Sequence, residues 1–91
     1  MQIHIMMTKQ FIISGTITIY LNDAESAWIG NGQDVILNAL AGENKLLFKF
    51  GFRSKSIKFI SNSDVNVMVK WNRLTGGIDA LCTGADVQVL K

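Results

Sequence analysis

The run "VNVMVKW", residues 65–71, repeats with a period of two. Val65, Val67, Val69 and Trp71 fall on one side of an extended chain, and Asn66, Met68 and Lys70 fall on the other. A helix would scatter those four apolar residues around its axis, whereas a strand gathers them on one face. Valine, stiff about χ1, also fits a strand better than a helix. The same period governs "GTITIYL", where Ile17, Ile19 and Leu21 oppose Thr16, Thr18 and Tyr20. "DVILNALA" follows it more loosely, with Val35, Leu37 and Ala39 against Ile36, Asn38 and Leu40. Clusters of turn-forming residues separate the runs: Asn22-Asp23, "AGEN" at 41–44, "SNSD" at 61–64, and "NRLTGG" from Asn72. "IDALC" and "DVQVL" read as two last short strands around Thr83-Gly84. "NDAESAWIGNGQD", residues 22–34, reads as a loop in which Trp28-Ile29 forms a short strand or a plug. Short strands with a turn signal roughly every 8–12 residues predict an all-β fold. The expectation is a small antiparallel β-sandwich, jelly-roll-like, with seven to eight strands; an OB-like barrel is the alternative.

Length sets the scale of this fold. Ninety-one residues make one domain, 1–91, and a chain of that size gains from a staple or from self-association. Cys82 is the only cysteine and His4 the only histidine, so neither a disulfide within one chain nor a histidine-based metal site is expected. Hydrophobic residues make up 48% of the chain and charged ones 18%, which points to apolar surface covered by a partner. In the N-terminal "MQIHIMM", Ile3, Ile5 and Met7 alternate with His4 and Met6. Residues 1–8 fit either an ordinary first strand or an arm exchanged between subunits, with Ile3, Ile5 and Met7 as self-association residues. The segment is too short and interrupted for a signal peptide, and no apolar run is long enough to span a bilayer. Cytoplasmic synthesis and no membrane partner are expected.

"KLLFKFGFRSKSIKF", residues 45–59, poses a choice between displayed rings and buried ones. Alternation puts Leu46, Phe48, Phe50 and Phe52 on one face, then Ile57 and Phe59. Lys45, Leu47, Lys49, Gly51 and Arg53 take the other. Burying Lys45, Lys49 and Arg53 unpaired would cost several kcal/mol each. Burying three phenylalanines contributes roughly 1.5–3 kcal/mol each. The expectation is rings inward and cations outward. "KFGFR" carries the core of an aromatic–glycine pattern found in RNA-binding strands, but out of phase with that consensus and with no second aromatic strand.

Charge is clustered. Residues 45–73 hold seven cations against Asp64, a balance of +6, within a chain of net charge +2. Such a segment suits an acidic partner or a solvated outer face.

Neither a catalytic triad nor a metal loop emerges. His4 has no triad partner nearby in sequence, and Cys82 lies in the inward phase of its strand, where an inert thiol is expected. Asp23, Glu25 and Asp34 share one segment, but a chain this short has little room for a substrate cleft. Asn22, Asp23, Glu25, Asn31 and Asp34 offer oxygen ligands without the spacing of a calcium loop. No catalytic residue, metal or cofactor is expected, and the chain reads as a non-enzymatic structural or interaction protein. The candidate contact residues are Trp28, Tyr20, Lys45, Lys49, Arg53, Lys55 and Lys58. The expected partner is a larger protein assembly such as a capsid or tail, in the manner of bacteriophage decoration or fibre-base proteins, with the chain virion-associated and homo-oligomeric, a trimer favoured. A carbohydrate ligand stacked on Trp28 and Tyr20, and a single-stranded nucleic acid on the basic segment, are the alternatives.

Overall fold

The computed structural model describes residues 1–9, 15–72 and 74–90. Its nine strands are β1 (Gln2–Met7), β2 (Ile17–Leu21), β3 (Ala24–Ile29), β4 (Asp34–Asn38), β5 (Gly42–Phe50), β6 (Arg53–Ser61), β7 (Val65–Asn72), β8 (Gly77–Gly84) and β9 (Gln88–Leu90). They form a four-stranded sheet in the order β4-β1-β7-β8 and a five-stranded sheet in the order β3-β2-β5-β6-β9. The small β-sandwich expected from the alternation is the fold observed, with nine strands where the turn signals gave seven to eight. Pairing is antiparallel except between β1 and β7, which run parallel with Ile5 opposite Val67.

The period-two pattern explains why the sheets stack. The first sheet turns Ile3, Ile5, Met7, Leu37, Val65, Val67, Val69 and Ile78 inward, and the second answers with Ile17, Ile19, Ile29, Leu46, Phe48, Ile57 and Phe59. One residue of slip in any of these strands would exchange core for solvent along its length, so burial fixes the register.

β1 is a central strand, hydrogen-bonded on one side to β4 and on the other to β7. Ile3, Ile5 and Met7 are buried in the core of their own chain. Within the single chain, β1 is thus placed as an ordinary strand, and Ile3, Ile5 and Met7 are covered by that chain's own core.

Several boundaries differ from the sequence reading. Residues 24–29 of the expected loop are a strand. Gly42–Asn44 of the expected "AGEN" turn already belong to β5. β8 runs on through Thr83 and Gly84, so the last turn falls at 85–87. The 45–59 stretch is a hairpin, because Phe50 pairs with Arg53 and leaves Gly51-Phe52 as its two-residue turn. Gly51 has φ +59°, a left-handed conformation that glycine adopts without strain at the first position of such a turn. Phe48 is fully buried, and Phe50 is half-buried with its ring edge-on to Trp71 of the opposite sheet at 5.7 Å. Phe52 is 91% exposed, which corrects its assignment to the inner face. The turn reverses the chain before the alternation reaches it.

The β6–β7 turn is held by Asp86. The hydroxyl of Ser61 lies 2.7 Å from Oδ1 of Asp86 and 2.8 Å from the Ser63 carbonyl oxygen. The Ser63 hydroxyl donates to the same Oδ1 at 2.7 Å, and the Asn62 N–H donates to Oδ2 at 3.2 Å. The Ser63 and Ser61 hydroxyls favour the ionised form and hold the Asp86 carboxyl below its ordinary pKa.

Two outcomes follow. Phe48→Ala should cost about 3–5 kcal/mol in urea denaturation, while Phe52→Ala should stay within about 0.5 kcal/mol. Because the folded pKa of Asp86 is depressed, its contribution is present above the unfolded carboxylate value of about 3.9 and lost as pH falls through the folded value. Asp86→Asn should therefore lose less stability than the parent chain as pH falls from neutrality through and below the unfolded carboxylate value of about 3.9, read as the shift in urea midpoint.

Candidate interaction face

The outer face of the five-stranded sheet collects most of the contact residues named above, and its geometry begins at the β2–β3 turn. Asn22 and Asp23 take φ values of 51° and 71°. Both values are positive, as a two-residue turn matched to strand twist requires, and asparagine and aspartate tolerate them better than most residues. The turn is anchored to β5. The Asn22 N–H donates to the Lys45 carbonyl at 2.9 Å, and the Lys45 N–H donates back to Oδ1 of Asn22 at 2.8 Å. The Asn22 side-chain amide donates to Oδ1 of Asn44 at 2.9 Å, and the Asn44 amide donates to the Leu40 carbonyl at 2.9 Å. Asn44 is buried, so each of these bonds offsets a desolvation cost.

A bulge then decides where Trp28 points. Leu21 pairs with Ala24 and Tyr20 with Glu25, but Ile19 pairs with Ala27, so Ser26 is an extra residue in β3. With the register so shifted, Thr18 pairs with Trp28 and Ile17 with Ile29. Ile29 enters the core, and Trp28 stands outside, 63% exposed. Without the extra residue these two side chains would trade faces.

Trp28, Thr18, Lys49 and Ser54 form one cross-strand row over β3, β2, β5 and β6. Glu25, Tyr20, Leu47 and Ser56 form the next. Lys45 and Lys58 are paired in the third. Lys49 Nζ sits 5.8 Å from the centre of the Tyr20 ring, a cation–π contact. Lys45 Nζ forms an ion pair with Asp23 at 2.6 Å. The face therefore has an aromatic and aliphatic centre of Trp28, Tyr20 and Leu47. Around it stand three lysines and the acids Asp23, Glu25 and Glu43.

The remaining candidates lie elsewhere. Arg53 and Lys55 occupy the inward phase of β6, where they project past the core and stay exposed. The Arg53 guanidinium lies 4.9 Å from the centre of the Phe52 ring. Lys70 is on the outer face of the other sheet, paired with Asp79 across β7 and β8, and Arg73 lies outside the described residues. The basic segment is thus dispersed by folding over both sheets and does not form one face.

The oxygen-rich set of residues 22–34 is divided as well. Asn22 and Asp23 lie at one end of β3, and Asn31 and Asp34 beyond the other, about 20 Å away along a six-residue strand. Asp34 instead faces His4 across β4 and β1, with Oδ2 2.6 Å from Nε2. Their separation of thirty residues hid this pair from the sequence. Among the described residues, no group of three His, Cys, Asp or Glu side chains is placed to hold a metal ion. Cys82 faces inward, half-buried, and burial pushes its thiol up to about 11, so it is protonated at neutral pH. Among the described residues, no helix is long and apolar enough to cross a membrane.

Comparison with protein-family models, with curated proteins and with solved structures finds no match to this chain. The reading of the face therefore rests on its own chemistry. Trp28→Ala should leave stability within about 0.5 kcal/mol, whereas its neighbour Ile29→Ala should cost about 2–5 kcal/mol. Thermal melts of the two variants check the opposite placement of adjacent residues.

Proposed function

We propose that the chain is a non-enzymatic interaction protein that docks on a larger protein assembly through the outer face of its five-stranded sheet. The observation that supports this most is the exposure of Trp28 on the same face as Tyr20 and Leu47, inside a border of both charge signs. Protein interfaces concentrate tryptophan and tyrosine at a desolvated centre and leave mixed polar groups at the rim. A phosphate backbone would meet a less favourable surface. Glu25 stands beside Tyr20, and Asp23 already neutralises Lys45. Binding to nucleic acid draws on uncompensated cations, and this face offers few.

The face sets small hydroxyl residues Thr18, Ser54 and Ser56 between its larger side chains. Such a face suits a repeated contact with a symmetric shell. Decoration of a bacteriophage virion is the kind of role that fits a chain of this size, by analogy of type. Subunit contacts in a homo-oligomer fall, in this reading, to the other sheet. Its outer face carries Met6, Met68 and Leu81 in one row across β1, β7 and β8.

A photo-cross-linking residue placed at position 28 in the native source provides the test. The expected result is one predominant protein adduct, with Trp28→Ala weakening binding to that purified partner by tenfold or more. Oligonucleotide binding that falls with salt and disappears in Trp28→Ala would overturn the reading in favour of a stacking platform.

A further inference from the structure

One end of the sandwich carries the two most exposed large apolar side chains among the described residues. Phe52, in the β5–β6 turn, is 91% exposed, and Leu74, in the β7–β8 turn, is 97% exposed. The two turns are neighbours although they join strands of different sheets. Just behind them, Phe50 of β5 meets Trp71 of β7 at 5.7 Å. Beside Phe52, the Arg53 guanidinium reaches the other turn, with Nη2 3.6 Å from the position a Cβ would take at Gly76.

The β7–β8 turn satisfies its own backbone. Oδ1 of Asn72 accepts the Leu74 N–H at 2.9 Å and the Thr75 N–H at 3.3 Å, and the Asn72 carbonyl accepts the Gly76 N–H at 2.8 Å. Three donors beside Leu74 therefore lose little when water is withdrawn from the tip.

Charge is divided along the strand direction. The registers place Lys9, Lys49, Arg53, Lys55 and Lys70 in the half that ends at these turns, with Asp34 and Asp79 as its acids. Both acids are engaged: Asp34 faces His4, and Asp79 lies across from Lys70 and accepts the Asn72 amide. Lys9, Arg53 and Lys55 have no carboxylate within ion-pair distance among the described residues. The other half holds Lys45 and Lys58 with the remaining five acids, Asp23, Glu25, Glu43, Asp64 and Asp86. Such a separation turns the apolar tips toward a negative surface.

The shape and charge of this end select its partner. Two copies meeting tip to tip would oppose their cations. Leu74 offers a nucleic base no ring on which to stack. The boundary between lipid headgroups and acyl chains, by contrast, receives protruding apolar side chains while its phosphates attract flanking cations.

We propose that this end of the sandwich docks on an anionic lipid surface. Phe52 and Leu74 enter the headgroup–acyl boundary, and Arg53, Lys55 and Lys9 meet the lipid phosphates. A peripheral contact of this kind needs no spanning segment, and it departs from the expectation of no membrane partner. It uses one end of the molecule and does not rest on the proposed docking face.

The probe is co-sedimentation with vesicles of equal parts phosphatidylcholine and phosphatidylglycerol, compared with vesicles of phosphatidylcholine alone. The mixed vesicles should bind at least tenfold more tightly, and molar salt should weaken that binding. Phe52→Ser and Leu74→Ser should each reduce it about tenfold while the melting transition persists, because both side chains lie outside the core. Leu40→Ser provides the control, since Leu40 is 88% exposed at the opposite end, and it should bind like the parent chain. No binding to the mixed vesicles, equal binding to both kinds, or binding that survives the Phe52→Ser and Leu74→Ser pair would overturn the proposal. Self-association without lipid that Phe52→Ser abolishes would overturn it too, by assigning the tips to a second copy. Oligonucleotide binding that requires Phe52 but not Leu74 would overturn it in favour of nucleic acid.

Discussion

Face-to-face burial of two alternating sheets is the constraint on which everything else in this molecule depends. Among the described residues, fifteen core side chains come from eight of the nine strands. β1 and β7 run side by side in the middle of one sheet, and β2 and β5 in the middle of the other. At roughly 25 cal/mol per Å² of apolar area removed from water, this packing is the main favourable contribution set against chain entropy. Outer faces are then free to carry polar, charged or aromatic groups at little energetic cost. Surface function is in that sense a residue of the same alternation that builds the core.

Much of the architecture was legible because period two is a local signal. Val65, Val67 and Val69 are buried while Asn66, Met68 and Lys70 face out, as their order in the chain implies. Ile17 and Ile19 behave in the same way. What stayed hidden depends on small interruptions of that period. Gly51 ends β5 two residues before the alternation in Phe48, Phe50 and Phe52 would have finished, which moves Phe52 from core to turn tip. Ser26 inserts one residue into β3 and sends Trp28 outward. Neither event changes composition, and each moves a large aromatic side chain to the surface.

Long-range pairing was less visible still. Parallel contact between β1 and β7 joins residues some sixty positions apart, and the His4–Asp34 pair depends on β4 lying beside β1. Charge clustering misled for a related reason. Lys45, Lys49 and Lys58 share a face because they are in phase across a hairpin, whereas Arg53 and Lys55 belong to the opposite phase, and Lys70 belongs to another sheet. A linear count of cations contains no information about phase. Tyr20, Leu47 and Trp28 come to share one outer face only through the register of β2 with β3 and with β5.

The proposed function depends on the exposure of Trp28, and fluorescence of a Trp71→Phe variant, with Trp28 as its sole indole, measures that exposure directly. The account predicts red-shifted emission that acrylamide quenches readily in the folded protein, at nearly the efficiency seen after denaturation. Blue-shifted emission shielded from the quencher would place Trp28 in the core, remove the bulge at Ser26, and contradict the interaction face built on it.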